Sequence, residues 1–240
     1  MKEITNVLIL AAGKSRRLKQ KKSKIFLKLG KYTFLQLIIK LANKLKPQSI
    51  NIIIKDKIKN IPKINFFEQK KALGTAHAVN LFLKKSNLKR GKLIILYADT
   101  PLISFPDVKK LIKKSKNNDL VLLGFNTKKN NGLGLIKRNK LNKVEKIIEY
   151  VTANKKDKKI KLCNSGIMVI NNNLFHLIKK IKLNKIKKEY FLTDLINLAV
   201  KNNNKVGVVV TKNVLGSMGV NDMNTYIKVK NKYINRYSLK

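Results

Sequence analysis

The stretch Leu10-Ala11-Ala12-Gly13-Lys14-Ser15-Arg16-Arg17-Leu18, followed by Ser23-Lys24, joins a run of small residues to fixed positive charge. Small side chains let backbone N–H groups come close to an anion, and arginine and lysine surround it with charge. The same pattern also fits an ordinary solvated turn. A second chemistry-bearing residue is Asp99, which follows the apolar residues 93–98 and precedes Thr100-Pro101. A carboxylate there is either displayed at the end of a buried strand or spent as a cap before Pro101. Neither G-x-x-x-x-G-K-[ST] nor G-x-G-x-x-G occurs. Cys163 is the single cysteine, and His77 and His176 lie far apart, so a disulfide framework and a Cys/His zinc cluster are both excluded.

These residues need elements to hold them. Residues 7–10, 50–54, 64–67, 93–97, 120–124 and 167–170 read as strands, and residues 132–149 as short β pieces. Helical periodicity runs from 34 to 45 behind Thr33 as N-cap, and from 75 to about 84 with Ala76, Val79 and Phe82 on one face. Ser104-Phe105-Pro106-Asp107 reads as a helix start, with Pro and an acid in the first turn. Further helices are expected over 174–181, 192–201 and from Asp222 onward. The alternation predicts an α/β domain with a mostly parallel sheet, whose strand-end loops gather at one edge. With 240 residues, four prolines, no linker and no internal repeat, residues 1–240 are expected to form one domain. The apolar runs are strand-length, and the first is too short for an export signal, so no membrane span and a cytoplasmic location are expected.

Lys plus Arg number 55 against 12 Asp plus Glu, a net charge of +43. A nucleic-acid binder gathers its charge on one face and interleaves stacking aromatics. Here the lysines recur along the whole chain among Ile, Leu and Asn, and aromatics are only 7% with no Trp. Nonspecific attraction of nucleic acid is the most that the charge implies, although its field would draw in any phosphorylated small molecule.

The loop after the first strand has specific company: Gln69-Lys70-Lys71-Ala72-Leu73-Gly74-Thr75-Ala76-His77-Ala78, then Leu96-Tyr97-Ala98-Asp99-Thr100-Pro101-Leu102-Ile103. Gly132-Leu133-Gly134, Ile148-Glu149, Asn164-Ser165-Gly166, Glu189-Tyr190-Phe191-Leu192-Thr193-Asp194 and Gly219-Val220-Asn221 follow in order. In order and spacing this set resembles the sugar-1-phosphate nucleotidylyltransferases, most of all their N-acetylglucosamine-1-phosphate uridylyltransferase branch. The resemblance runs from about Val7 to Asn221.

The resemblance implies a Rossmann-like, mixed but mostly parallel sheet flanked by helices, of the nucleotide-diphospho-sugar transferase type. It implies transfer of UMP from UTP to N-acetylglucosamine-1-phosphate, with release of pyrophosphate. Asp99 and Asn221 match the positions that hold Mg²⁺, an ion that takes one or two protein oxygens plus substrate phosphates. Arg17 and Lys24 match the catalytic, triphosphate-contacting bases. Leu10, Ala11, Ala12 and Gly13 match the nucleotide loop, and Gln69 and Gly74 the uracil contacts. Thr75, Gly134, Glu149 and Asn164 match positions around the sugar. His77 is read as structural. A phosphate monoester is already largely ionised near pH 7, so no general base is needed. Bifunctional relatives append a β-helical acetyltransferase that trimerises them. This sequence ends before one, so a monomer without acetyl-CoA chemistry is expected.

The sequence departs from the family pattern at Arg16, Ser23, Ala72, Ala98, Leu133 and Leu135, and lacks a lysine two positions past Glu149. Most departures surround the base and sugar positions. Another sugar-1-phosphate or another NTP is therefore the first alternative. A nucleic-acid-binding protein on a degenerate transferase fold is the second.

Overall fold

A computed structural model describes residues 5–13, 23–55, 58, 61–128 and 132–237. In chain order the elements are β1 (Thr5–Leu10), β2 (Lys28–Leu29), β3 (Tyr32–Thr33), α1 (Phe34–Lys44), β4 (Ser49–Ile54) and β5 (Ile64–Glu68). Next come α2 (Thr75–Ser86), β6 (Lys92–Tyr97), α3 (Phe105–Lys114), β7 (Leu120–Asn126), β8 (Gly134–Arg138) and β9 (Val144–Glu149). The chain continues through β10 (Leu162–Asn171), α4 (Phe175–Ile178), α5 (Asp194–Lys201), β11 (Val206–Thr211), α6 (Val214–Ser217) and α7 (Met223–Tyr237).

Among the described residues, the main sheet runs β11-β7-β10-β6-β1-β4-β5, with β8 and β9 as an arm joined to β10. β6, β1, β4 and β5 are parallel neighbours, and β11 lies parallel to β7. β10 is inserted antiparallel between β6 and β7. The sheet is thus mixed and mostly parallel. From β1 the chain pairs outward on one side with β4 and β5, then returns to pair with β6 on the other. That reversal opens a crevice at the carboxyl ends of β1 and β6, the position where open α/β sheets bind ligands.

The central strands are apolar on both faces because helices cover both. Leu8, Leu10, Leu93 and Ile95 enter one core with Val79 and Phe82 of α2. Val7, Ile9, Ile94 and Leu96 enter the other with Ile38 and Ala42 of α1 and Val108 of α3. Thr33 caps α1 as its position predicts: the Gln36 N–H donates to Thr33 Oγ1 at 3.2 Å, and the Thr33 N–H donates to Gln36 Oε1 at 2.8 Å. Ser104 caps α3, where Asp107 is buried and accepts hydroxyls from Ser104 and Thr211.

Two helix expectations shorten. A 3₁₀ turn over residues 172–174 leaves α4 only Phe175–Ile178, and α5 begins at Asp194 rather than at residue 192. β11, a run of Val and Thr at the edge of the sheet, was not among the expected strands. No described helix is long and apolar enough to cross a membrane.

Candidate active site

The loop leaving β1 lies in the crevice. The Ala11 N–H donates to the Ile53 carbonyl and the Leu10 carbonyl accepts from Ala98, which extends both ladders one residue beyond β1. After that the pairing stops. The N–H groups of Ala12 and Gly13 have no hydrogen-bond partner among the described residues, and Gly13 has no side chain to cover them. Two neighbouring free amides at a strand end form a binding place for an oxyanion. Leu10, Ala11, Ala12 and Gly13 line a cavity of about 260 Å³ together with Lys24, Gln69, Gly74, Thr75 and Asp99. Arg17 lies outside the described residues.

Lys24 begins a single 3₁₀ turn and is buried. Its ammonium donates to Asp99 Oδ2 and, at 2.7 Å, to Asn221 Oδ1. Two oxygens from positions 122 residues apart therefore converge on one cation-sized point. Gly219 makes room for them: a Cβ there would stand 3.2 Å from Asp99 Oδ2 and 3.3 Å from Asn221 Nδ2. One carboxylate and one amide oxygen, both hard donors beside an anion cradle, suit Mg²⁺. Among the described residues no cluster of three or more His, Cys, Asp or Glu gathers anywhere to hold a metal. Asp99 is thus not spent as a cap. Its side chain faces Lys24, and the Val220 N–H bonds its carbonyl, tying the Gly219-Val220-Asn221 segment to the end of β6.

Gln69 follows β5 and is buried, its N–H held by the Ile54 carbonyl at 2.8 Å. Its side-chain Nε2 donates to the Gly74 carbonyl (3.2 Å) and meets His77 Nδ1 (2.8 Å). The amide's donor half is therefore occupied within the protein. Gln69 Oε1 and the Gly74 N–H have no partner among the described residues. Gly74 has φ +100°, and a Cβ would lie 2.5 Å from the Tyr190 carbonyl oxygen, so the backbones of residues 74 and 190 meet only across a glycine. His77 packs where expected, on the first turn of α2, but its ring nitrogen adds a polar contact to that structural role.

The sugar positions form a second group. Gly134 is the register partner of Glu149, and a Cβ at Gly134 would sit 3.7 Å from Glu149 Oε1 and 3.8 Å from the Asn164 Cβ. These three residues come together; Thr75 stands apart, in the wall of the main cavity. The 190–193 segment bridges the two groups: Thr75 Oγ1 accepts the Leu192 N–H at 3.0 Å, and the Thr193 hydroxyl donates to Glu149 Oε1 at 3.4 Å. Burial raises the Glu149 carboxyl above its ordinary range, partly offset by Thr193, and nearby Asp194 adds to the rise. Asp194 is itself raised by burial. β10 bulges between Asn164 and Met168, and Gly166 at φ +86° lets the Tyr97 ring approach. Glu189, Tyr97 and Ala72 also line this cavity, although they were not among the expected site residues. All three stand inside the quoted motifs, which was the available signal. Burial pushes the Cys163 thiol up to about 11, so it is no nucleophile.

Residues 7–160 match the MobA-like NTP transferase domain. The chain is 35% identical over 237 residues to "Bifunctional protein GlmU" of Buchnera aphidicola subsp. Baizongia pistaciae (strain Bp), covering 95% of this chain and 52% of that protein. It is 34% identical over 224 residues to the protein of the same name from Francisella tularensis subsp. novicida (strain U112), covering 90% and 49%. The chain thus spans about half the length of the curated relatives it matches. A solved UDP-glucose pyrophosphorylase complexed with UDP-glucose superposes with a TM-score of 0.79 at 16% identity, over 97% of this chain and 99% of that one. The last likeness is one of fold: the Rossmann-like nucleotide-diphospho-sugar transferase architecture.

Proposed function

The chain belongs to the MobA-like NTP transferase family, and from that premise we propose that it transfers UMP from UTP to N-acetylglucosamine-1-phosphate, giving UDP-N-acetylglucosamine and pyrophosphate. The observation that carries this reading is the convergence of Asp99 and Asn221 on one point beside a cavity lined by the two free amides, Gln69 and Gly74.

The Ala12 and Gly13 amides hold a phosphate oxygen of the triphosphate, with Lys24, and Arg17 by its position in the motif, supplying charge. Gln69 Oε1 accepts a base N–H and the Gly74 N–H donates to a base carbonyl. The Gly134–Glu149–Asn164 group receives sugar hydroxyls, positioning the sugar phosphate for in-line attack on the α-phosphorus. Asp99 and Asn221 would hold Mg²⁺, which when bound neutralises charge on the transferring phosphates. With that ion held there, the Lys24 ammonium, which sits on these two oxygens here, would turn to phosphate. No side chain needs to take a proton, because the attacking phosphate is already ionised.

Pyrophosphate release measured across four NTPs and a panel of sugar-1-phosphates tests the reading. The expected result is turnover highest with UTP and N-acetylglucosamine-1-phosphate and lost in Asp99→Ala. Preference for glucose-1-phosphate would move the assignment to another sugar, and silence for every pair would defeat it. Tight, salt-steep RNA binding that is indifferent to Asp99 would favour a polyanion-binding role instead.

A further inference from the structure

We propose that His77 is a positioning residue for base selection: together with the Gly74 carbonyl it holds the nitrogen of the Gln69 amide and leaves the oxygen to the base, so that the pocket takes a nucleobase with an N–H at the centre of its pairing edge and refuses one with a bare ring nitrogen there. The inference rests on the nucleotide reading of the cavity and adds to it the group that sets the specificity.

The Gly74 carbonyl can only accept, so the Gln69 atom 3.2 Å from it is the nitrogen. The second hydrogen of that nitrogen points at His77 Nδ1 at 2.8 Å, which must then be the unprotonated nitrogen of a neutral ring. Burial, aided by the charge of Lys84, lowers the His77 pKa and keeps that ring neutral at pH 7. Turning the amide over would set oxygen against the Gly74 oxygen, a repulsive contact, and would require the His77 ring to move its proton to Nδ1. The nitrogen therefore stays with Gly74 and His77, and Oε1, like the Gly74 N–H, is left without a partner among the described residues at a cavity that both residues line. Uracil and thymine carry an N3–H flanked by carbonyls, which complements an acceptor beside a donor. Cytosine placed the same way sets its N3 lone pair against Oε1. A site that leaves a buried polar group unpaired with the wrong partner discriminates more strongly than one that differs in shape.

Equilibrium titration of UTP and CTP, with Mg²⁺, into the full chain reads base choice apart from turnover. Wild type is expected to prefer UTP by about a hundredfold or more. His77→Asn places an amide oxygen near the Nδ1 position and should keep most of that ratio, whereas His77→Leu should cut it roughly tenfold, mainly by weakening UTP. 3-Methyl-UTP, which lacks the N3–H, should bind wild type no better than CTP. This last measurement needs no variant to fold. An unchanged ratio in His77→Leu, equal losses in both variants, tight binding of 3-methyl-UTP, or no nucleotide binding by wild type would each overturn the proposal. Selective UTP binding without turnover on any sugar phosphate would leave it standing and sink the transferase reading.

Discussion

The proposed nucleotide end and the proposed sugar end of the site are built by different means. At the nucleotide end, backbone amides and carbonyls do most of the positioning: the loop after β1, the Gly74 turn and the segment at Gly219 are held by ladder bonds and by glycines at van der Waals limits. At the proposed sugar end, the groups are side chains on the β8–β9 arm and the β10 bulge, and two half-buried carboxyls stand near each other. Backbone geometry cannot be altered by one substitution without moving the fold, whereas side chains can be exchanged. The difference predicts that triphosphate chemistry is the fixed part of this enzyme and sugar choice the adjustable part.

Asp99→Ala, at the proposed nucleotide end, should lower kcat by on the order of 10³-fold or more. Comparable pyrophosphate release from the variant and wild type would remove Asp99 from the cation site. Lys24→Ala comes next. It strips a part-buried carboxylate of its counter-charge, so the cation-free protein should lose about 2 kcal/mol of stability. Added Mg²⁺ should then raise the variant's Tm by more than it raises that of wild type in a thermal melt. Gly74→Ala forces a Cβ into the Tyr190 backbone at a positive φ and should cost about 2–4 kcal/mol in denaturant unfolding. A normal unfolding midpoint would show that the 74–190 contact is slack.

Smaller effects belong to the sugar end. Glu149→Gln should raise KM for the sugar phosphate about tenfold with KM for UTP nearly unchanged, consistent with loss of one charged hydrogen bond. A parallel rise in both would erase the division between the ends. The least effect is one of pH. Glu149 and Asp194 hold their protons more tightly in the folded protein than at their ordinary values of 4.5 and 3.8. The folded state then binds more protons than the unfolded one, so their contribution to stability falls as pH rises from about 4 through the raised values. Glu149→Gln with Asp194→Asn should flatten that part of the stability profile.

Much of the fold was legible because local rules and global packing agree in it. Thr33 and Gln36 form both halves of a capping box, and the doubly buried strands β1 and β6 read as unbroken apolar runs. β11 escaped notice although its residues are strand formers; its place at the sheet edge, parallel to β7, depends on partners more than 80 residues earlier. In the site, the residues of the β1 loop, Gln69, Gly74 and Asp99 meet as their motifs suggest. What the motifs could not show is pairing at a distance. The Lys24 ammonium sits on oxygens 75 and 197 residues away, and half of the Gln69 amide is occupied by a ring eight positions on. Only folding creates those contacts.

Strand β10 runs from the Gly134–Glu149–Asn164 group to the centre of the sheet, where residues 168–170 are clamped between β6 and β7. It works as a ruler. Its rungs fix how far Asn164 stands from the end of β6, so insertions in the surface loops leave the gap between the two parts of the site untouched. Only a slip of whole rungs could retune that gap, and a slip by one would turn every side chain of β10 onto the wrong face.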